Sequence, residues 1–157
     1  MIPAMVSAAS SAPRTAGPVP AGRDGSSPPL RRADGSPLSV LIVEDEPFVA
    51  LDLQAMVEDL GGDAEIAHTI AAARRAADAN RPALVLMDIR LPDGDGVDLA
   101  GEFHGRFAPP IVFVTASTDA GTLARIGRLG RFEVVHKPVN PASLARAVTA
   151  AVGEAGG

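Results

Sequence analysis

Leu84-Val85-Leu86-Met87-Asp88-Ile89-Arg90-Leu91-Pro92-Asp93-Gly94-Asp95-Gly96 is the stretch that decides the fold. Four apolar residues run straight into a carboxylate, and a Pro and Gly turn follows at once. A short apolar run bounded by turn residues reads as a strand covered on both faces, hence a central strand of a parallel sheet. Asp88 then stands at the strand's carboxyl end, where open α/β sheets hold their ligands. Taken alone, the segment reads equally well as an Asp that starts a turn. The flanking sequence separates the two.

Upstream, Ser39-Val40-Leu41-Ile42-Val43 is another buried-strand pattern, ending in Glu44-Asp45-Glu46, and Pro47 suits the first position of a helix. Val49, Leu53, Met56, Val57 and Leu60 recur at helical spacing until Gly61-Gly62 stops them. Asp63 to Ala67 is a weak second strand. Residues 69–79 form an Ala-rich helix whose only large apolar residue is Ile70, and Arg81-Pro82 breaks it. Downstream, Ala100, Phe103 and Phe107 mark a third helix, and Pro109-Pro110 leads into Ile111-Val112-Phe113-Val114, which ends at Thr115. The spacing predicts a fourth helix over 117–129 with Ser117 as its N-cap. Gly121 and Gly127 weaken it by about 1 kcal/mol each relative to Ala. Residues 132–136 read as a fifth strand ending at Lys137-Pro138. Asn140 and Pro141 then open a last helix carrying Leu144, Val148 and Val152. Five β-α units predict an α/β fold: a five-stranded parallel sheet in the order 2-1-3-4-5, doubly wound by five helices.

Composition bounds the rest. The chain has 157 residues, of which 46% are hydrophobic and 3% aromatic with no Trp or Tyr, so its core is aliphatic and Ala-rich. The absence of Cys excludes disulfides and thiolate metal sites. No apolar run is long enough to span a membrane, and residues 1–15 lack the basic start and apolar stretch of a secretory signal. A cytoplasmic protein is expected. Residues 1–38 hold 7 of the 14 Pro amid Ala, Ser and Gly, a composition that predicts a disordered extension ahead of one domain over 39–157. Four Arg against Asp24 and Asp34 give that extension a net charge of +2, so with −5 overall the domain carries −7. Such an acidic domain is a poor candidate for direct nucleic-acid binding.

Four of the five strands end in residues of chemical interest: Glu44 and Asp45, Asp88, Thr115, and Lys137. In the order 2-1-3-4-5 these could converge at one edge of the sheet. Two carboxylates about 5 Å apart at an effective dielectric of 20 repel by roughly 3 kcal/mol. Three acids in one cleft therefore need a cation, or one must stay protonated. Oxygen ligands without His or Cys suit Mg²⁺, which takes one or two carboxylates plus a phosphate. Lys137 supplies a point charge for a phosphoryl oxygen, and Thr115 a hydroxyl for another. A carboxylate nucleophile, a divalent ion and a Lys make a phosphoryl-transfer site.

At this point a family resemblance emerges. Val40-Leu41-Ile42-Val43-Glu44-Asp45-Glu46-Pro47, Met87 through Gly96, Phe113-Val114-Thr115-Ala116 and His136-Lys137-Pro138 resemble the receiver domain of two-component response regulators, over residues 39 to about 153. The resemblance implies that Asp88 accepts a phosphoryl group from a histidine kinase or histidine phosphotransfer protein, as a stoichiometric acceptor rather than an enzyme. It implies that Glu44, Asp45, Asp88 and the backbone carbonyl of Arg90 hold Mg²⁺. Thr115 and Lys137 would bind phosphoryl oxygens, and Lys137-Pro138 would be a cis peptide. One position departs from the family: three residues before its Lys, where an aromatic side chain swings inward on phosphorylation, this chain has Val134.

Other polar residues receive blander readings. Asp93 and Asp95 are expected to shape the loop and cap the third helix, and the Arg90 side chain to be solvated. His68, His104 and His136 lack metal-ligand spacing. Two alternatives stand beside the phosphoacceptor. A degenerate receiver could serve as a phosphorylation-independent binding module, against which Asp88, Thr115 and Lys137 argue. A phosphatase of the haloacid-dehalogenase type would need a second acid two residues after its nucleophile, where Arg90 stands. With no output domain after residue 153, a downstream protein partner is expected in trans.

Overall fold

Side chains alternate across a strand, so one apolar run can feed two cores. In the computed structural model, which describes residues 28–116 and 119–156, three strands do so: β1 (Ser39–Val43), β3 (Leu84–Met87) and β6 (Ile111–Thr115). Leu41, Val43, Val85, Met87, Ile111 and Phe113 enter one core, while Val40, Ile42, Leu84, Leu86, Val112 and Val114 enter the other. β2 (Asp63–Ala67) and β7 (Glu133–His136) form the edges of a five-stranded sheet, ordered β2-β1-β3-β6-β7 and parallel throughout. This is the expected 2-1-3-4-5 arrangement. A small antiparallel hairpin of β4 (Arg90–Leu91) and β5 (Gly94–Asp95) is added directly after Asp88.

The helices divide between the faces. α2 (Ile70–Ala79), α3 (Gly96–Arg106) and α4 (Ala120–Leu129) supply the first core, whereas α1 (Pro47–Asp59) and α5 (Pro141–Gly156) supply the second. α2 buries Ile70, Ala73 and Ala77, so small side chains form the packing face that the sequence left undefined. Arg74 adds a forked ion pair from α2 to Glu102 on α3. At α5 the Asn140 side chain accepts hydrogen bonds from the N–H groups of Ala142 and Ser143, as its N-cap position predicts.

Three local expectations are corrected. α4 starts at Ala120, and its cap is Asp119, whose carboxylate accepts from Thr122 N at 2.8 Å. Ser and Asp are both good cap residues, and the charge of Asp is further favoured at a helix N-terminus. Ser117 lies outside the described residues. Asp95 caps α3 as expected, but Asp93 turns to the first turn of α2, its two oxygens accepting from Ile70 N and Ala71 N beside the N-cap Thr69.

The third correction concerns residues 28–38, expected to be disordered. Arg31 and Pro37 pair in an antiparallel bridge, Leu38 N donates to Leu30 O, and Leu30 N donates to Leu60 O. Leu30 is fully buried and belongs to the second core. Burying one Leu is worth roughly 1.5–3 kcal/mol, enough to seat a short turn whose average composition is that of a disordered chain. The expectation for residues 1–27 lies outside the described residues.

Candidate functional site

The carboxyl ends of β1, β3, β6 and β7 deliver the site. A cleft of about 560 Å³ is lined by Asp45, Glu46, Asp88, Arg90, Thr115, Ala116 and Lys137. Backbone bonds across the sheet fix the relative heights of these residues. Asp88 N donates to Val43 O at 2.9 Å, and Lys137 N to Thr115 O at 3.0 Å. The Lys137-Pro138 peptide is cis, as the resemblance implied. Lys137 Nζ lies 3.2 Å from Asp88 Oδ2, and the other oxygen of Asp88 accepts from Ile89 N at 2.7 Å. Thr115 is buried at the end of β6. Every residue expected at the site is therefore within the cleft or, in the case of Glu44, beneath it.

Glu44 carries most of the electrostatic tension. It is fully buried, and among the described residues its Oε1 has no hydrogen bond, although Lys137 Nζ approaches within 2.8 Å as an ion pair off the hydrogen-bonding direction. Burial pushes the Glu44 carboxyl up to about 7, against the pull of Lys137 and with the charge of Asp88 adding to the rise. Burial also disfavours the Lys137 charge, but Glu44 and Asp88 outweigh it and raise the ammonium above its ordinary value. One cation thus serves two buried acids. Oxygens of Glu44, Asp45 and Asp88 come within 4.8 Å of one another, close enough to hold a metal ion. An all-oxygen donor set of three carboxylates, two of them buried, fits a hard divalent cation such as Mg²⁺.

The loop after Asp88 is held against the site by Gly96. Its N–H donates to Ile89 O at 2.6 Å, and a Cβ there would stand 1.9 Å from the Asp88 carbonyl oxygen. Only Gly permits that approach. Two contacts were not foreseen. Glu46 reaches to 3.5 Å from Lys137 Nζ, a contact hinted at by the acidic run it ends. His68 Nδ1 lies 2.8 Å from the Glu44 carbonyl oxygen, a contact that only the β2–β1 pairing creates. Val134 is half-buried and packs against the first core.

A doubly wound sheet with three acids and a Lys at its switch point defines a flavodoxin-like signalling domain of the receiver class. The chain belongs to the response regulator receiver domain family, whose model matches residues 40–149. Members of that family are phosphoacceptors that work between histidine kinases and downstream targets. The chain is 34% identical over 116 residues to the phyllosphere-induced regulator PhyR of Methylorubrum extorquens, covering 72% of this chain and 43% of that one. It is 33% identical over 132 residues to the transcriptional regulatory protein PdtaR of Mycobacterium tuberculosis, covering 79% and 62%. The chain spans about half the length of the curated relatives it matches. Among solved structures, the signal receiver domain of a modulated diguanylate cyclase from Desulfovibrio desulfuricans G20 superposes with a TM-score of 0.69 at 34% identity, covering 74% of this chain and 94% of that one. A CheY-like receiver domain protein from Methanospirillum hungatei JF-1 gives 0.70 at 26% identity, with the same coverages of 74% and 94%.

Proposed function

We propose that Asp88 accepts a phosphoryl group from a phosphohistidine on a histidine kinase or phosphotransfer protein, with Mg²⁺ held by Glu44, Asp45, Asp88 and the Arg90 backbone carbonyl. The observation that carries this reading is the Lys137 ammonium 3.2 Å from the Asp88 carboxylate inside an acid-lined cleft. In the transfer, an Asp88 oxygen bonds to phosphorus as the P–N bond of the donor breaks. The bonding pair leaves on the imidazole nitrogen, which takes a proton from water. Lys137 and the Thr115 hydroxyl bind two of the phosphoryl oxygens, and Ile89 N–H holds the carboxylate in place. When bound, Mg²⁺ neutralises charge on the transferring oxygens. Chain and phosphoryl group combine one to one, and the phosphorylated domain acts on a downstream protein in trans. A cytoplasmic setting accords with the described residues, in which no helix is long and apolar enough to cross a membrane.

Incubation with Mg²⁺ and a small phosphoramidate donor should add the mass of one phosphoryl group, and Asp88→Asn should abolish the addition. Asp45→Ala should weaken Mg²⁺ binding in a calorimetric titration. A stoichiometric phosphoryl adduct that persists in Asp88→Asn would overturn the assignment. A chain that never becomes phosphorylated would favour the binding-module reading.

A further inference from the structure

We propose that Arg125 is a positioning residue for the acceptor site, clamping α4 to the loop that carries Asp88 through a fork onto Asp95. This rests on the phosphoacceptor reading above. Its starting point is how little else seats α4. Of its ten residues only Ile126 is buried, Leu129 packs partly against the first core, and Leu123 is exposed. Gly121 and Gly127 sit within the helix, and among the described residues nothing beyond the adjoining chain and the helix's own backbone lies within 4 Å of where a Gly127 Cβ would stand. With one large side chain buried, apolar contact leaves the orientation of α4 loosely set, and a polar tether adds direction to it.

Arg125 is that tether. Its Nη1 lies 3.0 Å from Asp95 Oδ2 and its Nη2 3.0 Å from Asp95 Oδ1, a planar fork, and Nη2 also lies 3.1 Å from Asp98 Oδ1. Such two-pronged pairing fixes orientation as well as distance. Asp95 is far from a loose surface acid. It caps α3, accepting from Val97 N and Asp98 N, and it pairs with Arg90 in the β4–β5 hairpin. Gly96, the next residue, is bonded back to Ile89. A shift of Asp88, Ile89 or Arg90 is therefore transmitted through one hairpin pair to Asp95, and through the fork to α4. By linkage the reverse also holds: the position of α4 biases the loop, and with it the acceptor.

Amide hydrogen exchange on the full chain, with and without Mg²⁺ and beryllofluoride as a phosphoryl mimic, tests this. In the wild type, exchange should change about tenfold both in the Ile89–Asp95 loop and in α4, the scale of an ordinary coupling between sites. Arg125→Gln should keep the loop response while the α4 response falls below about twofold, and it should shift beryllofluoride affinity by a comparable factor. Arg128→Gln, one exposed Arg further along the same helix, should behave as wild type. Arg125→Lys keeps the charge without the fork and should respond in between. It also decides the matter if Arg125→Gln frays α4 before any ligand is added. An α4 response undiminished in both Arg125 variants, or a wild-type α4 that stays silent while the loop responds, overturns the proposal. A wild-type loop that does not respond at all defeats the phosphoacceptor reading instead, and this inference with it.

Discussion

α3 and α4 flank the same core and have nearly the same length, 11 and 10 residues, yet they are held by different physics. α3 buries Gly96, Val97, Leu99, Ala100 and Phe103, whereas α4 buries Ile126 alone. Each large apolar side chain withdrawn from water is worth roughly 1.5–3 kcal/mol. A partly exposed ion pair contributes about 0–1 kcal/mol. α3 is thus locked to the sheet by terms that a local event cannot overcome, while α4 is placed by terms of the size that a bound group can supply. Elements that move in signalling are drawn from the weakly held end of that range.

The largest effect is expected where α3 is fixed. Phe103 is fully buried and its ring lies 5.2 Å from that of Phe107. Phe103→Ala should cost about 3–5 kcal/mol in urea unfolding, and a loss below about 1.5 kcal/mol would break the contrast between the helices. A smaller effect of opposite sign is expected on α4. Gly127→Ala meets open space and should stabilise the chain by about 0.5–1 kcal/mol, read as a higher thermal midpoint. A lower midpoint would mean that α4 packs more tightly than its burial indicates.

The smallest effect concerns pH. Burial pushes the Asp95 carboxyl up, but the Arg125 guanidinium and the N–H groups of Asp98 and Val97 outweigh it and hold it below the ordinary value of 3.8. A carboxyl depressed by folding stabilises the fold above its unfolded value, and that contribution is lost as the pH falls through the folded one. The stability difference between wild type and Arg125→Gln should therefore be present at neutral pH and shrink below about pH 4. With both side chains one-third exposed, it should not exceed about 1 kcal/mol. A difference that grows in acid would show that Arg125 stabilises the fold by other means.

How much of this was legible beforehand follows from the range of each signal. The five strands and the convergence of Asp88, Thr115 and Lys137 could be read because apolar runs, strand ends and parallel order are local patterns, and topology then brings the ends together. Asp93 was assigned to the wrong helix because its partners, Ile70 and Ala71, lie more than twenty residues away and leave no trace near it. The Arg125–Asp95 fork spans thirty residues and was equally silent. At α4, three cap-forming residues, Ser117, Thr118 and Asp119, stand in a row, and nothing local favours the last of them. Leu30 was hidden by averaging, since one apolar residue has no period.

The seating of Leu30 also bears on where this chain can be cut. Its socket, around Val57 and Gly62, opens at the amino ends of the strands, the pole of the molecule opposite the acidic cleft. A protein beginning at Ser39 would keep every residue of the cleft and lose only the plug. What it would gain is an uncovered apolar hollow bordered by the unpaired N–H of Asp63, which in the intact chain donates to Leu38. A hollow of that kind attracts other chains. Such a fragment is expected to associate while its chemistry remains sound, and an excised domain keeps the plug and its turn when it begins no later than Pro28.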